Sequence, residues 1–206
     1  MRLYSQVIFP RLLDWVMSGP EFAQYRQELV VDVEGEVLEI GFGTGLNLAY
    51  YPETVRKLTA IDPNAGMSQL ARRRVDSASI EVESRQLSGE NLPLADNSFD
   101  SVVCTWTLCS IAQVEQALQE IHRVLKPGGR FFFIEHGLSN EPPIQTWQHR
   151  LTPLQKRIAD GCHLDRDIEQ LVAQQFQTLS LKQFYGENLP KIGGYFYQGV
   201  ATKAAA

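Results

Sequence analysis

Apolar positions along this chain follow two rhythms. Short, nearly continuous apolar runs at Val37–Gly41, Leu58–Ile61, Glu81–Gln86, Ser101–Thr107 and Arg130–Glu135 predict strands, and two more follow late, at Thr178–Tyr185 and Tyr195–Thr202. Between them, Asn64–Val75 and Val114–Leu125 read as helices. In the second, Val114, Ala117, Leu118, Ile121, Val124 and Leu125 recur at three and four residues and form one buriable stripe. Lys126-Pro127-Gly128-Gly129 should stop that helix, because proline cannot continue it and glycine accepts a left-handed turn. The run Arg130-Phe131-Phe132-Phe133-Ile134-Glu135 is too continuously apolar for a half-exposed strand and predicts a central one covered on both faces. Strands alternating with helical segments are the pattern of a doubly wound α/β sheet.

Ahead of the sheet, Tyr4–Ser18 carries Val7, Ile8, Phe9, Leu12, Leu13, Trp15 and Val16, with a helix allowed to start near Pro10. Such a segment serves as a packing helix, a lid or a contact with lipid. The 206 residues suit one domain, and 44% hydrophobic with 21% charged residues is an ordinary globular balance. A net charge of −5 weighs against a nucleic-acid partner, since phosphate contacts need a basic face. Three cysteines, Cys104, Cys109 and Cys162, show no paired metal spacing; a reducing compartment and no metal site are expected. With no run of about 18 apolar residues and no signal-peptide pattern, a cytoplasmic location is expected, with peripheral but not inserted membrane contact. The tail is expected to fray after Lys203. The sequence does not indicate an oligomeric state.

The chemistry concentrates where the first strand ends. Glu39-Ile40-Gly41-Phe42-Gly43-Thr44-Gly45-Leu46-Asn47 runs from a strand into a glycine loop, and the next strand ends in Asp62. Leu46 stands where a dinucleotide loop would have its last glycine. Gly-x-Gly-x-Gly preceded by Glu39 instead suits S-adenosylmethionine, which has no pyrophosphate to cradle. The glycines let the backbone approach a ligand closely. Asp62, an acceptor-only carboxylate, can take both ribose hydroxyls. Glu39 could order the loop or reach the ligand ammonium through water.

Several segments resemble a known family. Glu39–Gly45, Ile61-Asp62-Pro63-Asn64, Leu92-Pro93-Leu94-x-Asp96-x-Ser98-Phe99-Asp100 and Arg123–Gly129 look like class I S-adenosylmethionine-dependent methyltransferases, in the family's order. The resemblance implies a Rossmann-like seven-stranded sheet of order 3-2-1-4-5-7-6 with the last strand antiparallel, in a single domain spanning 1–206. Within it, 1–30 would form an N-terminal helical cap and 138–170 a helical insert on the acceptor side. Tyr51-Pro52, Cys104-Thr105-x-x-Leu108-Cys109-Ser110, Glu135-His136 and Asp160-Gly161-Cys162-His163-Leu164-x-Arg166 are similar to the animal alkyl thiol S-methyltransferases. The membrane-anchoring N-terminal segment of those proteins is not expected here.

The resemblance implies a cofactor site of Glu39, Gly41, Gly43, Gly45, Asn47, Asp62, Pro63, Gly89, Glu90 and Thr107 for S-adenosylmethionine, released as S-adenosylhomocysteine. Related enzymes have Asp-Ala-Glu after the third strand; Ser88-Gly89-Glu90 stands here, with the backbone amides of Gly89 and Glu90 expected at the adenine. The expected reaction is methyl transfer to a small molecule, with a thiol acceptor favoured. Alternatives are O- or N-methylation of a quinol-like or lipid-like substrate, a nicotinamide-dependent oxidoreductase, or a non-catalytic cofactor-binding regulator. A free thiol is mostly protonated at neutral pH, so a nearby base would help. His136, at the end of the central strand, and His163 are the candidates for that catalytic role. His122 is expected at the surface, Cys104 in the core and Trp106 as core rather than ligand. Arg150, Arg157 and Arg166 are read as solvated helix faces in preference to anion ligands.

Overall fold

The computed structural model describes residues 4–205, Ser68's side chain apart. Its strands are β1 Gly35–Ile40, β2 Val55–Ile61, β3 Glu81–Arg85, β4 Phe99–Thr105, β5 Leu125–His136, β6 Thr178–Tyr185 and β7 Tyr195–Thr202. They form one sheet in the order β3-β2-β1-β4-β5-β7-β6. The first five pair in parallel, while β7 runs antiparallel to both β5 and β6. This is the expected topology. The helices are α1 Phe9–Met17, α2 Pro20–Val30, α3 Ala65–Asp76, α4 Val114–Val124, α5 Pro142–Ile158 and α6 Ile168–Ala173. The first three residues and the last one of the expected domain lie outside the described residues.

Two apolar layers account for the central strands. Successive side chains of a strand point to opposite faces. Phe131 and Phe133 of β5 therefore pack with Leu38, Ile40, Cys104 and the buried stripe of α4. Phe132 and Ile134 pack on the other face, with Val37, Leu58, Val103 and the end of α2. Each such side chain removed from water contributes about 1.5–3 kcal/mol, and all four are at most 1% exposed.

The Lys126–Gly129 segment departs from expectation. The helix ends at Val124, but Leu125 is already extended and pairs with Phe99, so β5 begins five residues before the expected Arg130. Gly128, at φ 77°, lets the strand take its register shift while its N–H bonds to the Lys203 carbonyl. The Lys203 ammonium in turn donates to the carbonyls of His122 and Leu125 at the end of α4, where a cation suits the helix dipole. His122 is not a surface residue; it is half-buried edge-on against Phe176.

The motif Leu92–Asp96 finds its reason in Arg123. Its guanidinium donates to the carbonyls of Leu92 and Leu94 and pairs with Asp96 and Glu120, fastening that loop to α4. Pro10 sits in the first turn of α1, where a missing N–H costs nothing, and a single π-helical turn, Tyr4–Ile8, precedes it. Among the described residues no helix is long and apolar enough to cross a membrane.

Candidate active site

The parallel strands open at their carboxyl ends on a cavity of about 640 Å³, within the range of small-molecule sites. β1 feeds it directly. After Ile40 the chain turns through Gly41 at φ 73° and Gly43 at φ 57°, and the N–H groups of Gly41 and Phe42 bond to the Ile61 carbonyl. A Cβ on Gly41 would lie 2.0 Å from Thr107 Oγ1, so the end of β4 packs against bare backbone there. At Gly43 a Cβ would meet no described protein atom nearer than 3.8 Å, so within the protein it is the left-handed dihedral that asks for glycine. Gly45 starts the short turn Leu46–Ala49 and is not in the cavity wall.

Buried Glu39 accepts hydrogen bonds from Asn47 Nδ2 (2.8 Å) and the Tyr51 hydroxyl (2.7 Å). Burial pushes its carboxyl up to about 7, against those two donors. Asp62 accepts from the N–H groups of Gly43 (2.9 Å) and Asn64 (2.7 Å). Its pKa is raised by burial. Those bonds use about two of the carboxylate's four acceptor sites and leave the rest for a ligand. Pro63, Ser88, Gly89 and Glu90 continue the wall. The Ser88 hydroxyl donates to Glu90 Oε2 and accepts the Glu90 N–H. Of the two amides expected at an adenine ring, that of Glu90 is therefore already engaged.

The N-terminal helices roof this space. Phe9, Leu13, Val16 and Met17 line it from α1. Asp14 accepts from the Thr44 hydroxyl (2.5 Å) and pairs with Arg74 (2.8 Å), tying roof, glycine loop and α3 together. Arg26 of α2 is 4% exposed, sits 4.9 Å over the Trp106 ring and donates to the Met17 carbonyl. Burial lowers its pKa to about 10, so it remains a cation. Among the described residues its Nε has no hydrogen-bond partner, and neither have Asn47 Oδ1, Trp106 Nε1 and His136 Nδ1; all four residues line the cavity. Buried polar atoms without partners are costly, so their concentration here fits a polar ligand. Trp106, half-buried at φ 50°, belongs to both core and wall. Sequence reasoning missed Arg26, although Phe22, Arg26, Leu29 and Val30 fall on one helical face and mark a charge in an apolar stripe.

At the other end of the cavity, β5 delivers Glu135 and His136. Fully buried Glu135 accepts the N–H groups of Thr107, Leu108 and Cys109 at 2.8, 2.9 and 3.2 Å, which sets the turn after β4. Burial pushes its carboxyl up to about 7 while those donors pull it down. His136 Nε2 lies 3.0 Å from Cys162 Sγ, and Cys162 Sγ lies 3.8 Å from Cys109 Sγ. Hydrogen bonding with Cys109, and then with His136, pulls the Cys162 thiol well down despite burial, while the Cys109 thiol is pushed up. Burial opposes charge on His136, and its contact with Cys162 outweighs that and raises its pKa.

His136 is in the wall, whereas His163 is not; Cys162, its neighbour, is. His163 and His149 both face Asp165, at 3.7 and 3.0 Å. From the insert, Gln155 and Ala159 reach the cavity. Arg166 is no solvated face, because it donates to the carbonyls of Leu108 and Ile111. Arg150 lies 5.6 Å over Trp147, and Arg157 is exposed. Cys104 is fully buried in β4.

The methyltransferase domain family matches residues 38–133. The thiol S-methyltransferase TMT1B of Rattus norvegicus is 39% identical over 167 residues, 78% of this chain and 68% of that protein. Its Homo sapiens counterpart is 38% identical over 181 residues, 81% of this chain and 73% of the other. Among solved structures, phosphoethanolamine N-methyltransferase 2 of Haemonchus contortus, with phosphomonomethylethanolamine and S-adenosylhomocysteine bound, superposes with a TM-score of 0.75. That match covers 95% of this chain and 57% of the other at 14% identity, a likeness of fold.

Proposed function

We propose, from the premise that this chain belongs to the class I S-adenosylmethionine-dependent methyltransferases, that it methylates the sulfur of a small apolar thiol. The donor supplies a methyl group already activated on a sulfonium, so the protein must orient the partners and exclude water. Glu39, Asn47 and the Gly41–Gly43 backbone hold the methionine part, Asp62 the ribose, and Pro63 with Gly89–Glu90 the adenine. Thr107 separates donor from acceptor. Arg26 is the counter-ion for the donor's carboxylate.

A thiol is supported over an amine or a hydroxyl by one observation above the rest: the likeness to two thiol S-methyltransferases over more than two thirds of their length. The site is compatible with that choice. Cys109, His136 and Cys162 give the acceptor space one soft, polar end. His136 is kept as the residue that acts on the acceptor; His163, outside the wall, is assigned no contact with it. The helices within 138–170 act as the acceptor-side insert and those within 4–30 as the cap. Ile8, Leu12 and Trp15 beside the roof, with Leu154 and Ile158 on α5, expose apolar surface suited to peripheral contact with lipid or greasy substrates.

The test is turnover across a panel of alkyl thiols, amines and quinol-like phenols, with S-adenosylhomocysteine formation as readout. Thiols are expected to react fastest; turnover of amines or phenols alone would remove the thiol assignment. Calorimetry with S-adenosylhomocysteine tests the donor half separately. Asp62→Ala is expected to weaken binding by about 1–3 kcal/mol through lost charge-assisted hydrogen bonds. Unchanged affinity would mean that the ribose lies elsewhere.

A further inference from the structure

Cys109, His136 and Cys162 come from three separate places: the turn after β4, the last residue of β5 and the turn after α5. They bring two sulfurs and an imidazole nitrogen within 4.8 Å of one another. We propose that this trio binds one zinc ion whose fourth position opens on the acceptor space, so that the acceptor thiol is methylated as a metal-bound thiolate. The catalytic half of this rests on the thiol acceptor proposed above; the ion site does not.

The donor set is one that zinc prefers. Thiolate sulfur and imidazole nitrogen are soft to borderline ligands, and three protein ligands with one open position is the arrangement of catalytic rather than structural zinc. The spacing fits as well. Two sulfurs on a tetrahedral ion with arms of about 2.3 Å stand about 3.8 Å apart, and Cys109 and Cys162 stand at 3.8 Å. A sulfur–nitrogen edge is about 3.5 Å, so His136 and Cys162, now at 3.0 Å, would part by about half an ångström, and the third edge, Cys109 to His136, lies within 4.8 Å. A disulfide would need the sulfurs near 2.05 Å, far closer than they stand.

The surroundings support ligation. Gln155 Nε2 approaches Cys162 Sγ at 3.9 Å, and Ser110 Oγ lies 3.6 Å from Cys109 Sγ. Donors of this kind orient metal thiolates and stabilise their charge. Among the described residues no other side chain bonds His136 Nδ1, so its tautomer is not fixed and the Nε2 lone pair can face the sulfurs. All three side chains are at least nine-tenths buried, yet each lies in the cavity wall, so an ion there would be shielded from bulk water and open to the acceptor.

Charge favours the reaction. Zinc with two thiolates and a neutral imidazole is uncharged, and a third thiolate makes the centre anionic against the cationic sulfonium. As the acceptor sulfur binds the ion, its proton leaves to solvent. The sulfur then forms its new bond to the methyl carbon while the methyl–sulfonium bond breaks, its electron pair remaining on the donor sulfur. The products are a neutral thioether, a poor ligand that leaves the ion, and S-adenosylhomocysteine. No oxidation state changes.

The test uses the full chain, reduced, stripped with dipicolinate and titrated with Co²⁺. One equivalent should give a sulfur-to-cobalt charge-transfer band with the intense visible bands of a tetrahedral site, and Zn²⁺ should displace it. Cys109→Ser and Cys162→Ser each remove one of two thiolates and should lose roughly half of the charge-transfer absorbance. A fully reduced chain that gives no band, or a band that neither variant changes, overturns the site. Turnover of thiols by stripped and zinc-reloaded chain is measured alongside. Loss on stripping with recovery on reloading supports the catalytic role, and undiminished turnover by the stripped chain overturns it while leaving the thiol assignment intact. Stoichiometric cobalt without turnover of any thiol upholds the site and sinks the acceptor assignment instead.

Discussion

Gly41→Ala is expected to weaken S-adenosylhomocysteine binding by about thirtyfold or more while the protein stays folded. Two costs combine. At φ 73° an alanine pays about 1–2 kcal/mol for the left-handed conformation. Its Cβ would also fall 2.0 Å from Thr107 Oγ1 and 2.2 Å from Thr107 Cγ2. Thr107 cannot simply swing away, because its hydroxyl donates to the Thr105 carbonyl at 3.1 Å and its N–H is held by Glu135. Overpacking of this kind costs about 1–3 kcal/mol. The loop can relieve both costs by collapsing into the cavity it borders, so the loss, about 2–5 kcal/mol in all, falls on the bound state. Gly43→Ala is the control. Its Cβ meets no described protein atom within 3.8 Å, so it avoids the clash with Thr107, pays for its dihedral and should weaken binding less, by about tenfold. Calorimetry with circular dichroism distinguishes the cases. Wild-type affinity in Gly41→Ala would show that the donor does not rest on this loop.

The contrast between these two glycines shows what a sequence does and does not disclose. The strands and the cavity at their carboxyl edge were legible because their signals are contiguous, while the strand order came with the family resemblance. A run such as Phe131–Ile134 declares a strand buried on both faces, and a glycine loop followed one crossover later by Asp62 declares a pocket. The two glycines look alike in sequence, since the partner that makes Gly41 irreplaceable, Thr107, is 66 residues away. The acceptor end was harder for the same reason. Cys109, His136 and Cys162 meet only because β4 and β5 are neighbours and the segment after α5 folds back over them; His163 N–H bonds to the Cys109 carbonyl. In that irregular segment no period tells which of two adjacent residues turns inward, and Cys162 rather than His163 does. Glu135 carried a signal that was available, an acid closing an unbroken apolar run, and it is there to hold three backbone N–H groups.

Arg26→Met should cut affinity for S-adenosylhomocysteine by about 2–5 kcal/mol, the cost of removing one partner of a desolvated charge pair. Methionine keeps most of the side chain's length and its packing on Trp106 and loses the cation. Two groups compete for that cation. Glu39 lies near enough to bias its titration, but its two oxygens already accept from Asn47 and Tyr51. Asp14, the other nearby acid, is engaged by Arg74 and Thr44, so among the described residues the buried Arg26 Nε makes no hydrogen bond and its guanidinium forms no ion pair. A donor carboxylate would supply one, and the low dielectric under the roof of α1 would strengthen the pair. A ligand-truncation cycle isolates the interaction. The decarboxylated form of S-adenosylmethionine lacks the anion, so it should bind wild type and Arg26→Met alike, while the intact donor separates them by about thirtyfold or more. Equal losses for both ligands would make Arg26 a support for Trp106 and the roof, and the carboxylate would need another partner.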